Sequence, residues 1–145
     1  MILVTGAPGQ DALILSKLSC SLGEEVVATA RTISQKKRSE QMLPDCRWEV
    51  LDIQNTDSCS QVIRRIKPTT VFNFAGISSV ADSWSNPSLI QSINVNGALN
   101  LLWAIATSLS TLVREFIDHS DIALNPQQRD EAHGVWLRTL SSKEQ

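Results

Sequence analysis

Two glycines near the amino terminus have the spacing that a phosphate-binding turn requires. They follow the short apolar run Met1–Thr5 and precede a helical pattern that begins at Ala12. Glycine lets the chain turn sharply, and its missing Cβ lets backbone N–H groups approach a pyrophosphate closely. A plain strand-to-helix turn is the alternative. The position between a strand and a helix favours a dinucleotide-binding turn formed by Gly6, Ala7, Pro8, Gly9, Gln10 and Asp11.

A basic side chain follows the second predicted strand, Glu25–Ala30. An acidic residue at this position hydrogen-bonds the ribose 2′-hydroxyl of NAD, whereas an arginine can pair with the 2′-phosphate of NADP. Arg31 and Ser34 stand there, so the sequence favours NADP as the cofactor over NAD. The alternative is that these residues only begin a solvated basic helix that continues through Arg38.

The remaining residue types with catalytic or metal-binding chemistry form no recognisable constellation. His119 and His133 have no evident partner in the sequence. Cys20, Cys46 and Cys59 lack metal-ligand spacing, and reduced thiols are their simplest interpretation. We therefore predict no metal site and no catalytic residue in this chain.

Strand patterns recur four times and are separated by helical patterns. The strands are predicted at residues 1–5, 25–30, 47–53 and 69–75. This alternation indicates an α/β fold with a parallel sheet, because parallel strands need long crossover connections. Right-handed crossovers then predict a three-layer, Rossmann-type doubly wound sheet. With about four strands the sheet is incomplete, in the order 3-2-1-4.

The predicted helices have recognisable ends. The first is predicted to end at Gly23, the second to be capped by Asn55 or Thr56, and the third to run from Asn86 to about Ala106. The first has an apolar face of Ala12, Leu15, Leu18 and Leu22. The apolar face of the second consists of Cys59, Val62, Ile63 and Ile66. The apolar face of the third consists of Leu89, Ile90, Ile93, Gly97, Leu101, Leu102 and Ile105.

Five segments occur in an order and at distances that resemble a known superfamily. They are VTGAPGQD at residues 4–11, ARTIS at 30–34, LDI at 51–53, FNFAGISSV at 72–80 and INVNGALNLLWAI at 93–105. Together they resemble the extended short-chain dehydrogenase/reductases, the branch of sugar-nucleotide epimerases and dehydratases. The Gly-Gln-Asp step and the arginine after the second strand are most similar to the GDP-mannose 4,6-dehydratase family. The resemblance covers roughly residues 1–107.

The resemblance implies a role for each residue of the cofactor site. The turn Gly6–Asp11 would hold the pyrophosphate, Arg31 and Ser34 the 2′-phosphate, and Asp52 and Ile53 would border the adenine. The rest of the cofactor would be lined by Phe74, Ala75, Gly76, Ile77, Ser78 and Asn94.

Three of the polar residues near this site have structural alternatives. Asp52 could equally be an exposed loop aspartate. Asn73 and Asn94 could instead tie a strand end or a helix to neighbouring backbone through their amides.

The same resemblance implies an NADP-dependent lyase whose base is a tyrosine in a Tyr-x-x-x-Lys helix. The 145 residues contain no tyrosine, so this chain alone is predicted to be inactive. It would be the NADP-binding domain of a dehydratase-like protein, with GDP-mannose bound only by a full-length relative. The alternative is a non-catalytic nucleotide-binding or regulatory module that associates with such a relative.

A further segment, Ala106–Asp118, resembles a stretch far downstream in the dehydratase. This suggests a truncated or internally deleted chain, although an unrelated amphipathic helix is the alternative. We predict a nucleotide-binding domain at residues 1–107 and a short helix with an irregular tail at 108–145. Without further strands the fourth strand is an edge with unpaired backbone groups, which favours self-association.

The bulk composition narrows the class of partners. The net charge of −2 gives no electrostatic reason to expect nucleic acid. No uninterrupted apolar run approaches the roughly 20 residues that cross a bilayer, so no membrane partner is expected. The first strand begins too close to Met1 for a signal peptide, which favours a cytoplasmic location.

Overall fold

The computed structural model describes residues 1–79 and 84–119, with side chains up to residue 109. A first compact unit, Met1–Ile105, contains the whole described sheet. A second unit begins at Ala106, and its described residues are helical as far as His119. The predicted irregular tail and His133 lie outside the described residues. The division predicted at residue 107 stays a prediction.

The sheet has four parallel strands in the order β3-β2-β1-β4. They are β1 (Ile2–Thr5), β2 (Val26–Ala30), β3 (Arg47–Val50) and β4 (Thr70–Asn73). Leu3 of β1 is in register with Val27 of β2 and with Val71 of β4. This confirms the predicted α/β, Rossmann-type sheet with its 3-2-1-4 order.

Helices connect the strands and continue beyond the last one. They are α1 (Gln10–Ser21), α2 (Ile33–Met42), α3 (Thr56–Ile66), α4 (Pro87–Ile90), a π-helical segment (Gln91–Gly97) and α5 (Ala98–His119). Asn55 caps α3 as predicted, because its side chain accepts a hydrogen bond from the Ser58 N–H at 2.9 Å. Helix α4 begins with proline after Asn86, also as predicted.

A separate apolar core lies on each face of the sheet. Successive strand residues point to opposite faces, so Leu3 and Val4 belong to different clusters. Leu3 packs with the apolar face of α3 and with Leu101 of α5. Val4 packs with Ala12 of α1 and with the region before β3. The predicted face of α3 is confirmed, since all four of its residues are buried.

The buried face of α1 differs from the predicted one. Leu18 and Leu22 are exposed, whereas Ser16 and Ser19 are buried together with Ala12. The small side chains let the helix lie close to the sheet, which outweighs the burial of two leucines. Gly23 follows the helix with φ 83°, in agreement with its predicted role as a stop signal.

Helix α5 continues past its predicted end near Ala106 as far as His119. The sequence between these residues contains neither glycine nor proline, so nothing terminates the helix. The residues after 107, where a short helix is predicted, are therefore the end of α5 as far as His119. The exposure of Leu89 and Leu102 also departs from the predicted apolar face.

The helical run Pro87–Leu109 is long and apolar enough to cross a bilayer by length and composition alone, with a mean hydropathy of 1.2. Serine and asparagine residues interrupt this helical run, so it contains no continuous apolar stretch of that length. Ile93, Leu101 and Ala104 pack against the sheet, as in the core helix of many folds. This run is therefore weak evidence for a membrane, and the expected absence of a membrane partner stays a prediction.

Candidate functional site

A cleft of about 300 Å³ lies at the carboxyl ends of the strands. Ligands bind at this edge of open α/β sheets, and the volume is within the range of small-molecule sites. Ten of the residues predicted to bind the cofactor line it: Gly6, Pro8, Gly9, Arg31, Asp52, Ile53, Phe74, Ala75, Gly76 and Ile77.

The floor of the cleft depends on Gly6, which directly follows β1. Its φ of 64° lies in the left-handed region, and a Cβ there would be 2.6 Å from the backbone of Phe74 and Ala75. The residue must therefore be glycine for the turn after β1 to pass beneath the end of β4. Gly9 follows, with its N–H donating to the Gly6 carbonyl at 2.9 Å.

Helix α1 starts from this turn with its first N–H groups facing outward. Gly9 is the N-cap and contributes no side chain to cap them. Gln10 and Asp11 form the exposed start of the helix, and Ala7 is buried with its N–H bonded to the Thr29 carbonyl at 3.0 Å. The turn therefore offers free backbone donors and the positive end of a helix dipole to an anion.

Arg31 stands at the carboxyl end of β2, exposed at the rim of the cleft. None of the ion pairs formed by the described side chains involves it. Thr32 caps α2 by accepting from the Gln35 N–H at 3.3 Å, and its hydroxyl lies 3.1 Å from that of Ser34. The start of α2 is thus ordered by its own cap, with the guanidinium free to pair with an anion.

Asp52 is half-buried after β3, and its carboxylate accepts from the Gln54 N–H at 3.0 Å. This bond orders the loop at the cleft wall and gives Asp52 a structural role. Burial, and then the nearby charge of Asp52, raise the pKa of the Cys59 thiol. Ile53 is buried beside the cleft, and a Cβ on Gly97 would lie 2.6 Å from its Cδ1.

Asn73 ties the end of β4 to β1. Its side-chain oxygen accepts from the Thr5 hydroxyl at 2.5 Å and from the Ala75 N–H at 3.2 Å. The backbone of the cleft floor is therefore held by a side chain outside the cleft lining. This is the structural role given above as an alternative.

Asn94, in the π-helical segment, bonds both backbone groups of one residue. Its oxygen accepts from the Ile77 N–H at 2.8 Å, and its amide donates to the Ile77 carbonyl at 2.9 Å. These two bonds fix the loop after β4, so its amide has the structural role that the sequence left open. π-Helical turns often occur at functional sites, which agrees with this position.

Six predicted residues do not line the cleft: Ala7, Gln10, Asp11, Ser34, Ser78 and Asn94. Four others line it that the sequence did not indicate: Gln35, Leu51, Gln54 and Ile93. Gln35 and Gln54 come soon after the ends of β2 and β3, a position that could have marked them as candidates. Ile93 has no local signal, because only the packing of the π-helical segment brings it there.

The described part of the chain contains no cluster of three or more histidine, cysteine, aspartate or glutamate side chains placed to hold a metal ion. A dinucleotide fits the site better on structural grounds. The turn at Gly6 can form only without a Cβ, it leads into the uncapped start of α1, and the cleft extends from it to Arg31 and Asp52.

Comparison with known proteins gives one family. A family model described as GDP-mannose 4,6 dehydratase matches residues 3–120. GDP-mannose 4,6-dehydratase of Vibrio cholerae is 28% identical over 112 residues, which are 71% of this chain and 30% of that protein.

Solved structures of an epimerase and a dehydrogenase have a similar fold. UDP-glucose 4-epimerase of Thermus thermophilus, in complex with NAD, is 26% identical with a TM-score of 0.66. The match covers 74% of this chain and 34% of that one. L-threonine dehydrogenase of Clostridium difficile is 27% identical with a TM-score of 0.62, over 74% of this chain and 33% of that one. The chain thus spans about a third of the length of these proteins.

Proposed function

The chain belongs to the GDP-mannose 4,6-dehydratase family, and from that premise we propose that its cleft binds NADP in preference to NAD. The observation that carries the proposal is that one cleft combines the glycine turn at Gly6 and Gly9 with the guanidinium of Arg31, which forms none of the ion pairs of the described side chains. The turn suits a pyrophosphate, and the guanidinium suits the 2′-phosphate that distinguishes NADP.

The remaining contacts are assigned by position. The turn Gly6–Asp11 surrounds the pyrophosphate, with the N–H groups of Gln10 and Asp11 at the start of α1 as donors, and Arg31 with Ser34 holds the 2′-phosphate. Asp52 and Ile53 border the adenine, with Gln35 and Gln54 as additional polar surface at that end of the cleft. The loop Phe74–Ser78, held by Asn94, borders the remainder of the cofactor.

Calorimetric titration of the full chain with NADPH and NADH tests this proposal. Arg31→Ala is expected to weaken NADPH binding about tenfold or more and to leave NADH binding unchanged, since a charge-assisted hydrogen bond contributes about 1.5–3 kcal/mol. Arg64→Ala, which removes an exposed arginine of α3 outside the cleft lining, is the matched control. Absence of binding by either nucleotide would contradict the site, and equal affinities would contradict the preference.

We propose that this chain alone does not catalyse the reaction of its family. NADP would supply the hydride acceptor for oxidation of a sugar hydroxyl, but the 145 residues contain no tyrosine to serve as the family's base. GDP-mannose is accordingly assigned as substrate only to a full-length relative. Incubation of the pure chain with NADP and GDP-mannose is expected to leave the sugar nucleotide intact.

Self-association completes the proposed function. Among the described residues β4 pairs only with β1, so its other edge has unpaired backbone groups. Val95, Leu99 and Leu102 form an exposed apolar stripe, at helical spacing, on the π-helical segment and α5. In sedimentation velocity at tens of micromolar protein, the chain is expected to sediment as a species larger than a monomer.

The same unpaired edge favours a second candidate, a regulatory module that joins a full-length relative. Mixing the chain with the Vibrio cholerae dehydratase and measuring the turnover of the dehydratase distinguishes self-association from the regulatory module. Altered turnover, with the chain co-sedimenting, would favour the module.

A further inference from the structure

Two cysteines that lie 26 residues apart in the sequence meet in the fold. Cys20 is in the last turn of α1, and Cys46 directly precedes β3. Their Sγ atoms are 2.6 Å apart, so the two thiols are in direct contact. Two cysteines can form a disulfide only where the fold brings their sulfur atoms together, and this pair meets that condition.

The surroundings of the pair favour reaction between these two thiols over other partners. Cys46 is 6% exposed, and its Sγ lies 3.9 Å from the Ser16 carbonyl oxygen. Cys20 is half-buried and is the thiol that a reagent in solution can reach. Cys59 is fully buried in the core cluster on the opposite face of the sheet.

We propose that Cys20 and Cys46 form a reversible intramolecular disulfide by exchange with a low-molecular-weight disulfide such as oxidised glutathione. The Cys20 thiolate attacks one sulfur of the reagent and releases one thiolate, leaving a mixed disulfide. Cys46 then gives its proton to solvent or to the released thiolate, and the Cys46 thiolate attacks Cys20 Sγ and releases the second thiolate. Two protein thiols are oxidised, one reagent disulfide is reduced to two thiols, and the two protons pass to solvent or to the released thiolates.

The order of attack follows from the environment of each sulfur. Burial and the contact with Cys20 raise the pKa of Cys46 to about 12. Cys46 therefore stays protonated at neutral pH, and Cys20 is the first to react because it is accessible. The short distance between the sulfurs then favours closure over release of the mixed disulfide.

The crosslink joins the end of α1 to the start of β3 and closes a long loop. It restricts the unfolded chain more than the folded one, and the expected rise in Tm is about 10 °C.

The test incubates the reduced full-length chain in glutathione buffers of graded reduced-to-oxidised ratio. Free thiols are then alkylated, and peptides are mapped by mass spectrometry while Tm is measured on the same samples. The expected result is a Cys20–Cys46 crosslink within one chain, reversed by dithiothreitol, in both wild type and Cys59→Ser. Cys20→Ser is expected to lose the crosslink and the redox-dependent change in Tm.

Four results would overturn the proposal. They are three free thiols at every glutathione ratio, glutathione held on Cys20 without closure, a crosslink that includes Cys59, and a crosslink between two chains. The mapping on wild type decides among them without relying on the folding of any variant.

Discussion

At the scale of single residues, two glycines show separately what a positive φ requires and what a close neighbouring backbone requires. Gly6 and Gly23 both have positive φ, at 64° and 83°. A Cβ on Gly6 would lie 2.6 Å from the backbone of Phe74 and Ala75, whereas one on Gly23 meets nothing within 4 Å. Alanine at Gly23 therefore adds strain alone, and alanine at Gly6 also pushes apart the ends of β1 and β4.

Gly6→Ala is expected to lower the free energy of unfolding by about 3 kcal/mol or more, and Gly23→Ala by about 1 kcal/mol. Urea denaturation of both variants measures the difference. NADPH binding is expected to be lost only in Gly6→Ala, because the displaced floor closes the turn. Equal losses of stability would show that the close approach to β4 contributes nothing.

The phosphate-binding turn and the place of Arg31 at the cleft could be predicted from residue types alone, because both depend on position relative to the ends of strands. The contact between Cys20 and Cys46 could not be predicted in this way. It depends on how α1 packs beside β3, and no local pattern records that packing. The bonds of Asn94 to Ile77 are similar, since 17 residues separate the partners.

At the scale of elements, amphipathic patterns predicted some helix faces better than others. The face of α3 is apolar throughout and was predicted in full. The face of α1 was predicted only in part: Ala12 and Leu15 pack inward, but the buried positions also include Ser16 and Ser19, which apolar periodicity ignores. Close packing of small residues against a sheet leaves no hydrophobic signal, so such faces escape prediction from sequence.

One asparagine joins α5 to the loop after β3. The amide of Asn100 donates to the Ile53 carbonyl at 3.0 Å and the Gln54 carbonyl at 3.2 Å, and its oxygen accepts from the Thr56 hydroxyl at 3.2 Å. These bonds connect the start of the helix to the wall of the cleft.

Asn100→Ala is expected to lower the free energy of unfolding by about 1–2 kcal/mol, because two carbonyls lose a part-buried donor. Asn96→Ala, at an exposed position of the adjoining π-helical segment, is the control and is expected to change it by less than about 0.5 kcal/mol. Urea denaturation compares the two. A neutral Asn100→Ala would mean that apolar packing alone positions α5.

At the scale of the whole molecule, the alternation of strands and helices was enough to predict the sheet and its order. The fixed handedness of the crossovers leaves few other arrangements. What the alternation could not predict is how much apolar surface stays exposed. Phe72 on β4 and Leu102 on α5 are 37% and 61% exposed, although each belongs to a pattern typical of burial, and Leu99 beside them is 57% exposed.

That exposed surface gives the last prediction, on association. Leu102→Lys places a charge in the apolar stripe, and burying an unpaired charge in an interface is costly. Ile14→Lys is the matched control, since Ile14 is similarly exposed at 60% but lies on α1, which packs on the other face of the sheet.

In sedimentation velocity at tens of micromolar, wild type and Ile14→Lys are expected to associate, and Leu102→Lys is expected to be shifted to monomer. NADPH binding measured in parallel is expected to be the same in all three, because neither position lines the cleft. If Leu102→Lys associates as strongly as wild type, the stripe is not the interface. The open edge of β4, where backbone groups rather than side chains provide the contacts, would then be the next surface to test.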